Sequence, residues 1–174
     1  RYTLPGPVAA WEHTRDEIRA TVMQQGYNSE IHAFTQTLNG HVLDASLLVL
    51  PLLRFCSPHE PRMEATVRRI QERLTTDSLV ARYENVHEDG VGGREGAFSI
   101  CTYWLVDCLT LMGRSDESRQ LFERMCGHAS PLGLFSEEVD PATGGLLGNF
   151  PQAFTHMALL NSAHNLALYP GGVK

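Results

Sequence analysis

"EGAFSICTYWLVDCLTLM", residues 95–112, decides the fold. After its opening Glu95 it holds one charge, Asp107, in a run too long for a strand, and Gly113 follows as a natural C-cap. A helix without a polar face has to be covered all round. Residues 95–112 are therefore predicted to be an inner helix with other helices outside it.

Five more helical segments surround this one. Residues 7–26 place Ile18, Val22 and Met23 on one side and charges on the other, with Gly26 as C-cap. Residues 61–75, "PRMEATVRRIQERLT", start on a proline suited to a first turn and carry the stripe Met63, Val67, Ile70, Leu74. Residues 116–128 are again amphipathic, with Ser115 as cap. By contrast "ASLLVLPLLRF" after Asp44 and "FPQAFTHMALLNSAHNLAL" at 150–168 are apolar on nearly every face, like 95–112. Convincing strand alternation is almost absent, so the chain reads as all-α.

Wet and dry helices alternate three times. The dry ones begin near Asp44, Glu95 and Phe150, spacings of 51 and 55 residues, each after an amphipathic helix and a loop. Amphipathic helices outside and dry helices inside make helical hairpins in two layers, about half of an (α/α)6 toroid, with a solenoid of hairpins as the competing arrangement. Three hairpins form an arc with apolar flanks, which predicts either more chain or self-association into a homo-oligomer.

Bulk properties narrow the function. The 174 residues are 43% hydrophobic and 20% charged, enough for one domain with a substantial core. A net charge of -6 without a run of Lys and Arg argues against nucleic acid as a partner. The apolar stretch 47–55 is short for a bilayer and contains Pro51, so no membrane span is expected. Residues 1–18 lack the features of a signal peptide. Cys56, Cys101, Cys108 and Cys126 form no CxxC pair and lie among apolar residues, so free thiols in a reducing, cytoplasmic setting are expected. The eight histidines show no close ligand spacing, and no metal site is expected.

The loops that enter the dry helices carry the chemistry. In a two-layer toroid they gather at one end, and here they are residues 35–44, 84–98 and 133–152, each mixing glycine, acid and amide, suited to a polyhydroxylated ligand. The third, "GLFSEEVDPATGGLLGNFPQ", sets Glu137 and Glu138 directly ahead of a turn-rich loop.

"LDASLLVLPLL", "REGAFSICTYWLVDCLTLMGR", "SRQLFERM" and "GLFSEEVDPATGGLLGNFPQAFTHMALLNSA", in this order, strongly resemble the C-terminal part of glycoside hydrolase family 15, the glucoamylase and trehalase-type enzymes. The resemblance covers nearly the whole chain, and "LGNFPQAFTHMALLNSA" is its most specific element. It implies an (α/α)6 barrel with about twice the helices present here, and inverting hydrolysis of α-glucosidic bonds such as those of trehalose or maltooligosaccharides. The general base it implies is Glu137, first acid of a Leu-x-x-Glu-Glu loop. No cofactor is implied, because two carboxylates and water suffice.

An inverting pair needs carboxyl groups roughly 6.5 to 9.5 Å apart. Adjacent residues point different ways, so Glu137 and Glu138 cannot be that pair. The resemblance places the general acid, on a Trp-Glu motif, upstream of Arg1. Trp11 and Glu12 spell the same dipeptide but sit on an amphipathic helix that aligns with an outer one. A truncated half-barrel that binds a saccharide or a partner subunit without turnover is therefore the alternative to an enzyme, and the missing N-terminal half of the barrel is a candidate partner. Other candidates for substrate contact are Glu138, Glu95, Asp44, Gln152 and His156. Each also has a structural reading: Glu95 on a helix dipole, Asp44 as an N-cap, Gln152 as a cap and His156 as a core histidine. Phe98, Tyr103 and Trp104 offer either a stacking surface or core.

Overall fold

The computed structural model of the protein describes residues 5–84 and 95–173. Much of the expected loop 84–98 therefore lies outside the described residues. Helices α1 (Val8–Gln25), α2 (Val49–Leu52), α3 (Pro61–Arg73), α4 (Ser99–Leu111), α5 (Ser115–Cys126) and α6 (Ala153–Leu168) dominate. Among the described residues seven two-residue strands, β1 (Tyr27–Asn28), β2 (Ala33–Phe34), β3 (Thr75–Thr76), β4 (Leu79–Val80), β5 (Ala97–Phe98), β6 (Glu138–Val139) and β7 (Leu146–Leu147), form three small antiparallel sheets. A purely helical reading omits them. Segments this short are too brief for alternation to register in the sequence, and they serve as ties between loops.

The outer helices follow their stripes. Pro61 opens α3, and Met63, Val67 and Ile70 are fully buried on one side with Leu74 after them. In α5 the buried line is Ser118, Leu121 and Met125. Helix α1 departs from expectation: it buries no residue, and Ile18 is 57% exposed. Its narrow apolar stripe is interrupted by charge, and it is tethered through polar groups instead. Arg62 donates to the Met23 carbonyl at 2.9 Å, Arg19 donates to the Phe55 carbonyl, and the Arg19 guanidinium lies 5.2 Å from the Phe55 ring centre.

Helix α4 is the inner element that residues 95–112 announce. It packs against both α5 and α6, and its side chains from Leu105 to Thr110 are buried without interruption. It starts at Ser99 rather than Glu95 because Ala97 and Phe98 belong to a sheet.

The other two dry segments differ more. The segment after Asp44 is a 3-10 turn, Ala45–Leu48, followed by the single turn of α2, not a continuous helix to Phe55. Pro51 has no N–H to offer the Leu47 carbonyl, which breaks the ladder. Arg54, at φ 58°, then closes the turn, with Phe55 N–H on the Leu50 carbonyl at 2.9 Å and Arg54 N–H on the Pro51 carbonyl at 3.0 Å. This is a Schellman closure. Helix α6 buries Thr155, Ala158 and Ser162, but Phe154, Met157 and Leu160 stand open. A side of α6 that its composition expects to be covered is therefore bare.

Helices α2, α4 and α6 line one groove of about 810 Å³, into which Trp104, Asp107, Phe154, Met157, Asn161 and Asn165 face. No helix among the described residues is long and apolar enough to cross a membrane.

Candidate active site

The acidic loop is fixed by two helix N-termini and one sheet. Gln152 begins α6 by accepting the Phe154 N–H on its side chain at 3.4 Å, and its own N–H donates to the Phe135 carbonyl at 2.9 Å. One turn on, the Thr155 hydroxyl donates to the Ser136 carbonyl at 3.0 Å. The Phe135 N–H donates to His156 Nε2 at 3.3 Å, and His156 Nδ1 lies 2.7 Å from the Gln152 carbonyl. These partners assign the proton to Nδ1 and leave Nε2 an acceptor. Thus Phe135 and Ser136 are held from below by α6, and Gln152 and His156 are among the groups that hold them.

Glu137 itself is tied on both sides. Its carbonyl accepts the Ser99 N–H at the start of α4, 2.9 Å, and its N–H donates to the Asn149 carbonyl, 2.9 Å. The Asn149 N–H returns to Glu137 Oε2 at 3.0 Å. Oε1 accepts no hydrogen bond recorded among the described residues. Strand β6 then pairs Glu138 with Phe98 of β5 and with Leu147 of β7. The Glu138 carboxylate turns to the other side and accepts the Gly96 N–H at 2.9 Å. Partial burial pushes the Glu138 carboxyl above its ordinary value, with the neighbouring Glu137 adding in the same sense and the Gly96 N–H opposing.

Glu95 directly precedes the glycine that binds Glu138, so its backbone lies beside this sheet. Asp44 lies in a different cluster. It caps the 3-10 turn by accepting the Ser46 N–H at 2.7 Å, accepts Gln36 Nε2 at 3.3 Å, and pairs with Arg82. Tyr103 is fully buried, edge-on to Phe122 and Phe135, while Trp104 faces the groove and Phe98 is half-buried on β5. Trp11 and Glu12 are exposed on α1. Among the described residues no group of three or more His, Cys, Asp or Glu side chains gathers to hold a metal ion. Sequence reasoning missed Gly96, Ser99, Gly148 and Asn149, which act through backbone N–H groups or through the absence of a side chain. The repeated glycines of "GGLLGNF" were the available signal.

The architecture is one that glycosidases share. A wild-type glycosidase and a glycosidase in complex with glucose each align with 93% of this chain over 45% of their own, with a TM-score of 0.78 and 20% identity. A profile of glycosyl hydrolases family 15 matches residues 2–164, and the chain belongs to that family. Among similar proteins, a trehalase of Mycobacterium tuberculosis is 47% identical over 154 residues, covering 87% of this chain and 22% of that protein. A trehalase of Thermoplasma volcanium is 36% identical over 164 residues, covering 94% of this chain and 26% of that protein. The chain thus spans about a quarter of the length of these relatives.

Proposed function

We propose that these residues form the base-bearing C-terminal portion of an inverting α-glucosidic hydrolase of trehalase or glucoamylase type, folded as about half of an (α/α)6 barrel in one domain. Glu137 is the general base. One carboxylate oxygen is anchored by the Asn149 N–H, and the other accepts no hydrogen bond from the described residues, which leaves it open to a water. That division of roles between two oxygens is the observation that carries the reading, and membership of the family and the trehalase relatives support it. The water delivered by Glu137 attacks the anomeric carbon from the face opposite the leaving group, while a general acid from an upstream segment protonates the glycosidic oxygen. Glu138 and Glu95 offer acceptors to sugar hydroxyls beside the base, Gln152 and His156 hold the loop, and Asp44 organises the start of α2. The chemistry calls for no cofactor. The unpaired cysteines Cys56, Cys101 and Cys108, buried and with thiols pushed up by burial, suit a cytoplasmic setting.

The open face of α6, with Phe154 65% and Leu160 68% exposed, favours a second body packed against it. The upstream half of the barrel is our assignment; a second copy of this chain, or a half-barrel that binds sugar without turnover, is the alternative. Hydrolysis of trehalose and maltose by the full-length protein and by its Glu137→Gln variant, followed by anomer-resolved NMR, tests the reading. Release of β-glucose that falls by on the order of 10² to 10⁴ in the variant is expected. Equal turnover by both proteins would remove Glu137 from the mechanism.

A further inference from the structure

Glu137 lies against a glycine that has two reasons to be one. Gly148 has φ +71°, the left-handed region, and a Cβ built on it would stand 2.8 Å from Glu137 Oε2 and 2.9 Å from Glu137 Cβ. No real pair of atoms of this kind tolerates that approach, and the obstructing atoms belong to the carboxylate side chain. The next residue supplies the Asn149 N–H to the same Oε2 at 3.0 Å, and the Asn149 carbonyl takes the Glu137 N–H at 2.9 Å. The vacant Cα face and the N–H after it make one seat for one oxygen.

Gly144 provides a comparison within the same loop. It has φ +70°, and nothing lies within 4 Å of a Cβ added there. Its N–H closes a turn onto the Asp140 carbonyl at 2.8 Å. Backbone conformation is therefore common to both glycines, and contact with Glu137 belongs to Gly148.

We propose that Gly148 is a positioning residue for Glu137: its missing side chain and the Asn149 N–H seat Oε2 so that Oε1 faces the reacting water. The inference rests on the reading of Glu137 as the general base. A methyl group at 148 drives the carboxylate off its seat, which misplaces the water relative to the anomeric carbon while leaving the sugar's other contacts alone. Displacements of about 1 Å in such positions cost on the order of 10²-fold in rate. The loss belongs in kcat, with KM changed little.

The test compares Gly144→Ala, Gly148→Ala and Gly148→Asn in the full-length protein, on trehalose and maltose, with melting temperatures measured alongside. Both alanine variants carry the same left-handed strain, so both are expected to melt below the wild type, Gly148→Ala further because the clash adds to the strain, but only Gly148→Ala loses roughly 10²-fold in kcat. Asn tolerates left-handed backbone, so Gly148→Asn separates the clash from the strain and remains informative if Gly148→Ala does not fold. It is expected to melt above Gly148→Ala, because only the clash remains, and still to lose kcat. In a Glu137→Gln background, Gly148→Ala should cost no further turnover, because the group it displaces has already been disabled. Retention of wild-type kcat by Gly148→Asn, with Glu137→Gln inactive, would overturn the positioning role and leave the base assignment standing. Full activity of Glu137→Gln would overturn both.

Discussion

His156 on α6 accepts the backbone N–H of Phe135, two residues before Glu137, on Nε2 at 3.3 Å. A helix side chain thus takes the place of a strand neighbour in holding the loop, and the same ring packs edge-on to Phe135 with centroids 5.6 Å apart. His156→Ala removes the acceptor and the ring contact together. We expect a loss of about 2 kcal/mol in stability, within the usual range for leaving a part-buried donor unpaired, read by urea denaturation, together with a fall in kcat.

Asp107 gives a pH dependence with a definite sign. Its carboxylate is 4% exposed on α4, hydrogen-bonded to Asn165 at 3.1 Å, and burial pushes its pKa from 3.8 to about 6. The folded state holds the proton that the unfolded chain releases, so stability falls as pH rises from about 4 to about 6 and stays lowered above that window. A rise of this size corresponds to about 3 kcal/mol. Asp107→Asn should therefore be more stable than wild type at pH 7.5, by up to that amount, and show no advantage at pH 3.5, as compared by chemical denaturation at both values.

The Asp44–Arg82 pair joins the start of the 3-10 turn to the residues after β4. Arg82→Ala leaves a carboxylate that is 3% exposed without its cation. We expect a cost of about 3 kcal/mol, visible as a lower midpoint in thermal unfolding, whereas Asp44→Asn, which keeps a cap acceptor, should cost less.

The bare face of α6 makes a contextual prediction. In residues 1–174 alone, Leu160→Asp alters a side chain that is already 68% exposed and should shift stability by no more than about 0.5 kcal/mol. In the full-length protein, where the upstream half is proposed to cover this face, the same change should cost about 3 kcal/mol. Equal small effects in both would argue that nothing packs there.

Helix α4 and the stripe of α3 were legible because burial on all sides and burial on one side leave different periodicities in composition. Residues 44–55 and 150–168 were read as helices of the same kind as α4, and there composition misled. Apolar content says that a side chain is excluded from water in the finished protein, but not by which chain, so exposed Phe154 and Leu160 look identical to buried Leu105. Pro51 was visible in the sequence, yet the end of the segment is set by Arg54 entering the left-handed region, which local pattern does not announce. Around the acids, Glu137 and Glu138 were singled out through their motif, and Asp44 and Gln152 through capping chemistry. The seats of the two carboxylates were hidden because Gly96 and Asn149 contribute N–H groups that every residue type but proline has.

Two consecutive carbonyls around the acid go to different helices: Ser136 to the Thr155 hydroxyl of α6, and Glu137 to the Ser99 N–H of α4. The peptide between them is suspended like a rope between two masts. Any rotation of one helix against the other, wherever along its length the push is applied, changes the tension and direction of that span. The Ser162 hydroxyl on the Tyr103 carbonyl at 3.2 Å and Asn165 on Asp107 fasten the masts further along. Contacts about two and three turns beyond Thr155 on α6 thereby become part of what holds Glu137 in place.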